Sequence, residues 1–146
     1  DIIRAEFTLL FAEIFLSFID EETPSPDYGN EAGENDARIF IIEEYFNEYY
    51  MENISLKNLS EILYLSEKQT DRMIKKAFGE GFRQHLCRIR MLVAQRLLTD
   101  TDKSVEKIAD EVGYRSYNGF YLSFRQKNNM TPIEYRNQFS RNGKNL

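Results

Sequence analysis

At 146 residues, 42% hydrophobic and 29% charged, the chain is long enough for one packed domain with an appendage and ordinary in composition for a globular protein. Its single cysteine, Cys87, excludes an internal disulfide framework and suits a reducing compartment, and no Cys/His cluster is available to hold zinc. The formal charge of −5 conceals a division: two basic and 14 acidic residues precede Ile54 (−12), whereas 17 basic and 10 acidic residues lie from Ile54 onward (+7).

The first residue is Asp1 rather than Met, so a fragment of a longer polypeptide is expected. Residues 2–19 place Ile3, Phe7, Leu10, Ile14 and Phe18 on one helical stripe, with Phe11 and Phe15 beside it. Arg4, Glu6 and Glu13 interrupt the run, which has neither the basic start of a signal peptide nor the uncharged span of a membrane helix. Such a stripe needs a partner, either a second subunit or a sensor domain beyond this sequence. Residues 20–36 bring two prolines, two glycines and many acids with no period, and read as a mobile acidic linker. The expected division is therefore an N-terminal helix and linker over 1–36, followed by a domain over 37–146.

From Arg38 the helical pattern returns, with Ile42, Tyr45, Phe46, Tyr49 and Tyr50 on one face. Short helices separated by turn signals follow. Ser55 is a plausible N-cap for "SLKNLSEIL"; Ser66 with Gln69 forms a capping box that opens "EKQTDRMIKKAF", which Gly79 stops. Phe82, Leu86, Ile89, Val93 and Leu97 mark a helix of some 18 residues, roughly 27 Å long. Ser104 caps "VEKIADEV", which Gly113 ends, and Ser116 caps "YNGFYLSFRQK". Thr131-Pro132-Ile133-Glu134 is a capping box with proline at the first helical position. No segment alternates with period two, so the fold class is all-α.

Two of these segments repeat one pattern 50 residues apart. "LSEILYLS" (59–66) matches "IADEVGYRS" (108–116) apart from one extra residue, Arg115, and each precedes a helix of similar length. A small residue (Ser60, Ala109) lets the second helix approach the first, and Ile62, Val112, Leu65 and Tyr114 fill the angle between them. In the second copy Gly113 supplies a positive φ in the turn. This is the pattern of a helix-turn-helix, whose second helix keeps a free outer face.

From about Ile39 to Phe139 the sequence resembles the C-terminal DNA-binding domain of the AraC/XylS family of bacterial transcription regulators. Ile108-Ala109, Gly113-Tyr114, Ser116, Phe120, Phe124, Thr131-Pro132 and Tyr135-Arg136 carry the resemblance. It implies two helix-turn-helix units joined by a long helix, Phe82 to about Leu98, that meet successive major-groove faces of duplex DNA about one helical turn, roughly 34 Å, apart. It also implies a cytoplasmic regulator, more often an activator, with RNA polymerase as a partner. Departures fall in the first unit and its mirror positions: Tyr64 in place of the usual turn glycine, Ser60 in place of alanine, Thr70 and Ile74 at two core positions, and Asn129 in place of a glycine before Thr131.

On the helix beginning at Tyr117, Phe120 and Phe124 point inward and leave Tyr117, Asn118 and Tyr121 outward. Asparagine can pair bidentately with adenine, and tyrosine can touch a thymine methyl or a phosphate. Arg115, Ser116 and Arg125 suit phosphates, and the resemblance adds Leu122 as an apolar, base-facing position. In the first unit the outward set is Lys68, Gln69, Asp71 and Arg72, with Arg72 suited to guanine and with Lys75 and Lys76 on the backbone. Tyr114, Phe120 and Phe124 are expected in the core, Tyr135 as a packing residue, Cys87 as an inert thiol and His85 at the surface. No glycine-rich phosphate loop or nucleophile–base pair supports an enzyme, and no metal or cofactor is expected. The rival reading is a helical protein-interaction module that uses the stripes of residues 2–19 and 39–50 without binding DNA. A homodimer through residues 1–19, or through the sensor domain, is one expected assembly; the alternative is that the helix of residues 1–19 folds back on its own domain. The linker's charge is unfavourable beside a DNA duplex.

Overall fold

The computed structural model describes residues 30–140, over which it has seven helices and no strand. They are α1 (Asn30–Tyr49), α2 (Leu56–Ile62), α3 (Glu67–Phe78), α4 (Phe82–Asp100), α5 (Val105–Glu111), α6 (Tyr117–Asn128) and α7 (Pro132–Phe139). The stripe of residues 2–19 lies outside the described residues. α1 starts at Asn30, eight residues before the pattern predicts, so residues 30–36 are helical rather than linker. Their few apolar side chains hide the period, yet they continue a helix that is anchored further along by Ala37, Ile41 and Ile42, all buried.

Two compact units divide the chain: residues 30–45 with Ser55–Gly81, and Phe46–Ile54 with residues 82–140. In the first, α2 packs on α3, and the buried side chains are Ala37, Ile41, Ile42, Tyr45, Leu59, Leu63 and Ile74 with the hydroxyl residues Ser60 and Thr70. Both hydroxyls are satisfied locally. Ser60 Oγ donates to the Leu56 carbonyl at 2.7 Å and Thr70 Oγ1 to the Ser66 carbonyl at 3.1 Å.

The second unit is built on α4, which packs against α5 and α7, with α6 closing the core against α5 and α7. Met91, Ala94, Leu98, Val105, Ile108, Ala109, Val112, Phe120 and Phe124 form that core, and Tyr114 and Tyr135 pack at its edge. Phe124 meets Tyr135 edge-on at 5.4 Å, so Tyr135 is a packing residue as expected. Arg136 fastens α7 to the end of α4 by donating to the carbonyls of Leu98 and Lys103.

The face of α4 differs from the predicted stripe. Phe82 is buried as expected, but the other buried positions are His85, Met91, Ala94 and Leu98, whereas Leu86, Ile89, Val93 and Leu97 are half-buried. The helix is apolar around more than one face, so periodicity alone does not choose between them. His85, expected at the surface, is buried edge-on against Phe46 at 4.6 Å. Its Nδ1 lies 3.0 Å from the Arg88 guanidinium, which can only donate, so Nδ1 is the acceptor and carries no proton.

One bracket fixes the second turn. Arg90 donates from Nε to the Tyr50 carbonyl (2.7 Å) and from Nη2 to the Glu52 carbonyl (2.8 Å), and its guanidinium sits 5.6 Å above the Tyr114 ring. This holds the 50–52 backbone against Gly113. A Cβ on Gly113 would lie 2.5 Å from the Met51 carbonyl oxygen, and the residue's φ is +91°. Both facts demand glycine. Burial, aided by Cys87 Sγ at 3.5 Å from its hydroxyl, pushes the Tyr114 phenol up to about 12.

Candidate nucleic-acid interface

The two helix-turn-helix motifs share one backbone frame. α2 and α5 each have seven residues and α3 and α6 twelve. Each first helix ends in a turn whose second residue has positive φ, Tyr64 at 53° and Gly113 at 91°. In each, an amide reaches back across the turn to the same place: Leu65 N–H to the Ser60 carbonyl and Tyr114 N–H to the Ala109 carbonyl, both at 3.0 Å. Ser66 and Ser116 then cap the second helices, accepting from the amides of Gln69 and Gly119 at 3.2 Å. Left-handed residues end them: Gly79 at φ 75° and Asn129 at φ 55°. Buried positions repeat at the same spacing, Thr70 and Ile74 against Phe120 and Phe124.

With those inward, the predicted outward residues can be placed one by one. On α3, Lys68, Arg72, Lys75 and Lys76 are exposed. Asp71 is half-buried and pairs with Lys75 at 2.6 Å, so one carboxylate screens one of the predicted phosphate cations. Gln69 is exposed, but its amide oxygen accepts from the backbone N–H of Ser66 (3.0 Å) and from its hydroxyl (2.9 Å). Both lone pairs are spent on the capping box, which leaves Gln69 only its amide donor to offer a partner.

On α6, Arg115, Ser116, Tyr117, Asn118, Leu122 and Arg125 are exposed and Tyr121 is half-buried. Tyr117 and Tyr121 lie one turn apart with ring centroids at 6.0 Å. Leu122 is 58% exposed, a large apolar side chain left in water on a face otherwise polar. The 50-residue offset sets Asn118 opposite Lys68, Tyr121 opposite Asp71, Leu122 opposite Arg72 and Arg125 opposite Lys75. It also sets exposed Gln126 opposite Lys76, a position that charge and resemblance passed over and that the repeat alone picks out. The α3 face is therefore charged, and the α6 face is mostly neutral with arginines at its borders.

Two helix-turn-helix motifs in one chain, each with an exposed second helix, define the class: a double helix-turn-helix domain. A family model described as a helix-turn-helix domain matches residues 59–138. The C-terminal domain of the two-component response regulator yesN from Fusobacterium nucleatum is 34% identical, with a TM-score of 0.65 over 69% of this chain and 98% of that one. The DNA-binding domain of AdpA, solved in complex with a target DNA, is 26% identical with a TM-score of 0.67, covering 75% and 97% of the two chains. The transcriptional activator RhaS of Enterobacter sp. strain 638 is 30% identical over 102 residues, 70% of this chain and 37% of its own length. The chain belongs to the AraC-type helix-turn-helix family. It spans less than half the length of the curated relatives it matches.

Among the described residues no helix is long and apolar enough to cross a membrane.

Proposed function

We propose that this chain is the DNA-binding domain of a sequence-specific transcription regulator, an activator that sets α3 and α6 into successive major-groove faces of its site. The observation that carries this reading is the repetition, 50 residues apart, of one motif with two exposed second-helix faces. The relative solved in complex with a target DNA supports a DNA-binding role for the domain, and the named activator supports the sign of regulation. The chemistry of the two faces differs, and so would what they read. Arg72 suits guanine O6 and N7, while Asn118 suits adenine and Leu122 and Tyr121 suit thymine methyls. Lys68, Lys75, Lys76, Arg115, Ser116, Tyr117 and Arg125 serve the backbone, with Gln69 donating from its amide. RNA polymerase is the partner that activation requires, the cytoplasm is the compartment, and a homodimer through residues 1–19 or a sensor domain is the assembly. No catalytic role is assigned to any residue.

Selection of bound sequences from random duplex DNA tests the reading directly. We expect a site with a G·C pair in one half that depends on Arg72 and an A·T-rich half that depends on Asn118 and Leu122. Arg72→Ala should lose about 1–3 kcal/mol on the selected site and relax preference at one base pair. Equal losses on selected and scrambled duplexes would make Arg72 a phosphate contact only. Binding insensitive to salt would contradict an interface built on phosphates, because counterion release makes such binding steeply salt-dependent.

A further inference from the structure

Two polar bridges join α6 to α4. In the first, the Tyr114 hydroxyl stands between the helices: Cys87 Sγ of α4 lies 3.5 Å from it, and the Ser123 side chain of α6 hydrogen-bonds the same oxygen. Burial first, and then the Cys87 contact, push that phenol up to about 12, so it stays protonated and can donate one bond while accepting another. In the second bridge, Gln95 of α4 donates from Nε2 to Asn128 Oδ1, and Asn128 Nδ2 donates to the Phe124 carbonyl at 2.9 Å. Asn128 thereby fastens the last turn of α6 to α4. Cys87, Gln95, Tyr114, Ser123 and Asn128 are all half-buried, where a hydrogen bond is stronger than in water and costlier to leave unmade.

The first unit has apolar side chains at the matching places. The repeat sets Leu65 opposite Tyr114, Met73 opposite Ser123 and Phe78 opposite Asn128. Each is half-buried like its counterpart, and none has a side-chain N–H or O–H to share. Leu65 and Met73 instead line a groove of about 670 Å³ between α3 and the start of α1, together with Ile39. Where α6 is bonded across to the helix behind it, α3 borders an open groove. Apolar contact has no preferred direction, whereas a hydrogen bond fixes distance and angle. One helix is held at a set rotation and the other can shift.

We propose that Tyr114, Ser123, Gln95 and Asn128 are positioning residues that fix the rotation of α6 in the major groove, so that the second unit discriminates base pairs strictly while the first tolerates changes in its half of the site. The bridging stands on the geometry of the free protein; the effect on specificity rests on the assignment of α3 and α6 to DNA made above. A helix held in place cannot turn to repack on a wrong base pair, so a mismatch costs its full value, whereas a helix that shifts recovers part of it. The two faces agree with this division. Asn118 and Leu122 on α6 depend on angle and fit, while α3 presents mostly long cations, Lys68, Lys75 and Lys76, whose attraction to phosphates falls off slowly with displacement.

The test uses the full 146-residue chain with the double variant Tyr114→Phe/Gln95→Met, which cuts both bridges at residues assigned no contact with DNA. Both changes nearly conserve volume, so the core is kept. Ile108→Val, in the same core but outside both bridges, is the control for a unit that is merely looser. In the free protein, residual dipolar couplings should fit α6 and α4 to one frame in the parent and the control, and the α6 couplings should shrink in the double variant. In the parent, single base-pair changes in the selected duplex should cost more affinity in the half that depends on Asn118 than in the half that depends on Arg72. The double variant should lose about fivefold in discrimination in the Asn118 half, the lower end of what one base contact is worth, and change by less than about twofold in the Arg72 half. Unchanged couplings would overturn the bridging role whatever the DNA result. Smaller couplings with an equal loss of discrimination in both halves, or with none, would overturn the positioning role, and equal costs in the two halves of the parent's site would overturn the division between the units. A parent that selects no site would overturn the assignment of α3 and α6 to base reading and the specificity claim with it, while the couplings decide the bridges separately.

Discussion

The two helix-turn-helix units share backbone design and differ in what fills it. Behind α6 stand two phenylalanines, Phe120 and Phe124, with ring centroids 5.7 Å apart and Tyr114 and Tyr135 edge-on at either side. Behind α3 stand Thr70 and Ile74, and the crossing residue is Ser60 where the second unit has Ala109. The second unit thus draws on aromatic burial, while the first seats hydroxyls that bond only to their own helix. Turn chemistry differs in the same direction. Gly113 occupies its left-handed position without strain, whereas Tyr64 adopts φ 53° and leaves its ring 72% exposed. The same hydrogen-bonded frame is therefore compatible with a strong core and a weaker one, because capping and turn bonds are local and do not depend on what the core side chains are.

The largest effect that would sharpen this contrast is in the aromatic core. Phe124→Ala should cost about 3–5 kcal/mol, measured by chemical denaturation. Ile74→Ala, its counterpart, should cost less, in the lower part of about 2–5 kcal/mol. Equal losses would mean that the aromatic core gives the second unit no advantage.

Next come the turns, where the two units should respond in opposite directions. Gly113→Ala combines a left-handed backbone, about 1–2 kcal/mol, with overlap on the Met51 carbonyl at 2.5 Å. We expect a loss of roughly 2–4 kcal/mol once that overpacking is included. Tyr64→Gly removes the left-handed penalty and gives back part of it through the freer unfolded chain, for a gain of about 0.5–1 kcal/mol. A lower melting temperature for Tyr64→Gly would show that the exposed ring contributes a contact that outweighs its strain.

The smallest effect tests the hydroxyls. The Ser66 carbonyl that accepts from Thr70 Oγ1 already accepts from the Thr70 backbone amide at 3.0 Å. Thr70→Val therefore orphans no buried group, and stability should stay within about 0.5–1 kcal/mol of the parent. A loss well beyond that range would make the hydroxyl a specific part of the first core.

Much of this molecule is set by short-range chemistry and is therefore legible in the chain. Ser55, Ser66, Ser104, Ser116 and Thr131 are all N-caps, and Gly79 and Gly113 lie where helices must stop, because caps and left-handed residues act within four positions of themselves. The outward residues of α3 and α6 follow from the same repeat, since two inward positions on a short helix fix the remaining face. Tertiary packing decided the rest. It turned α4 so that Met91, Ala94 and Leu98 enter the core, and it buried His85 against Phe46, a contact across 39 positions that no local pattern encodes. It also extended α1 back to Asn30, whereas the Asp71–Lys75 pair and the bonds of Gln69 to Ser66 span four positions or fewer and belong to the short-range chemistry. Periodicity says that a helix has an apolar face. Which of several faces is covered, and which polar groups are left unspent, depends on neighbours brought together only when the chain folds.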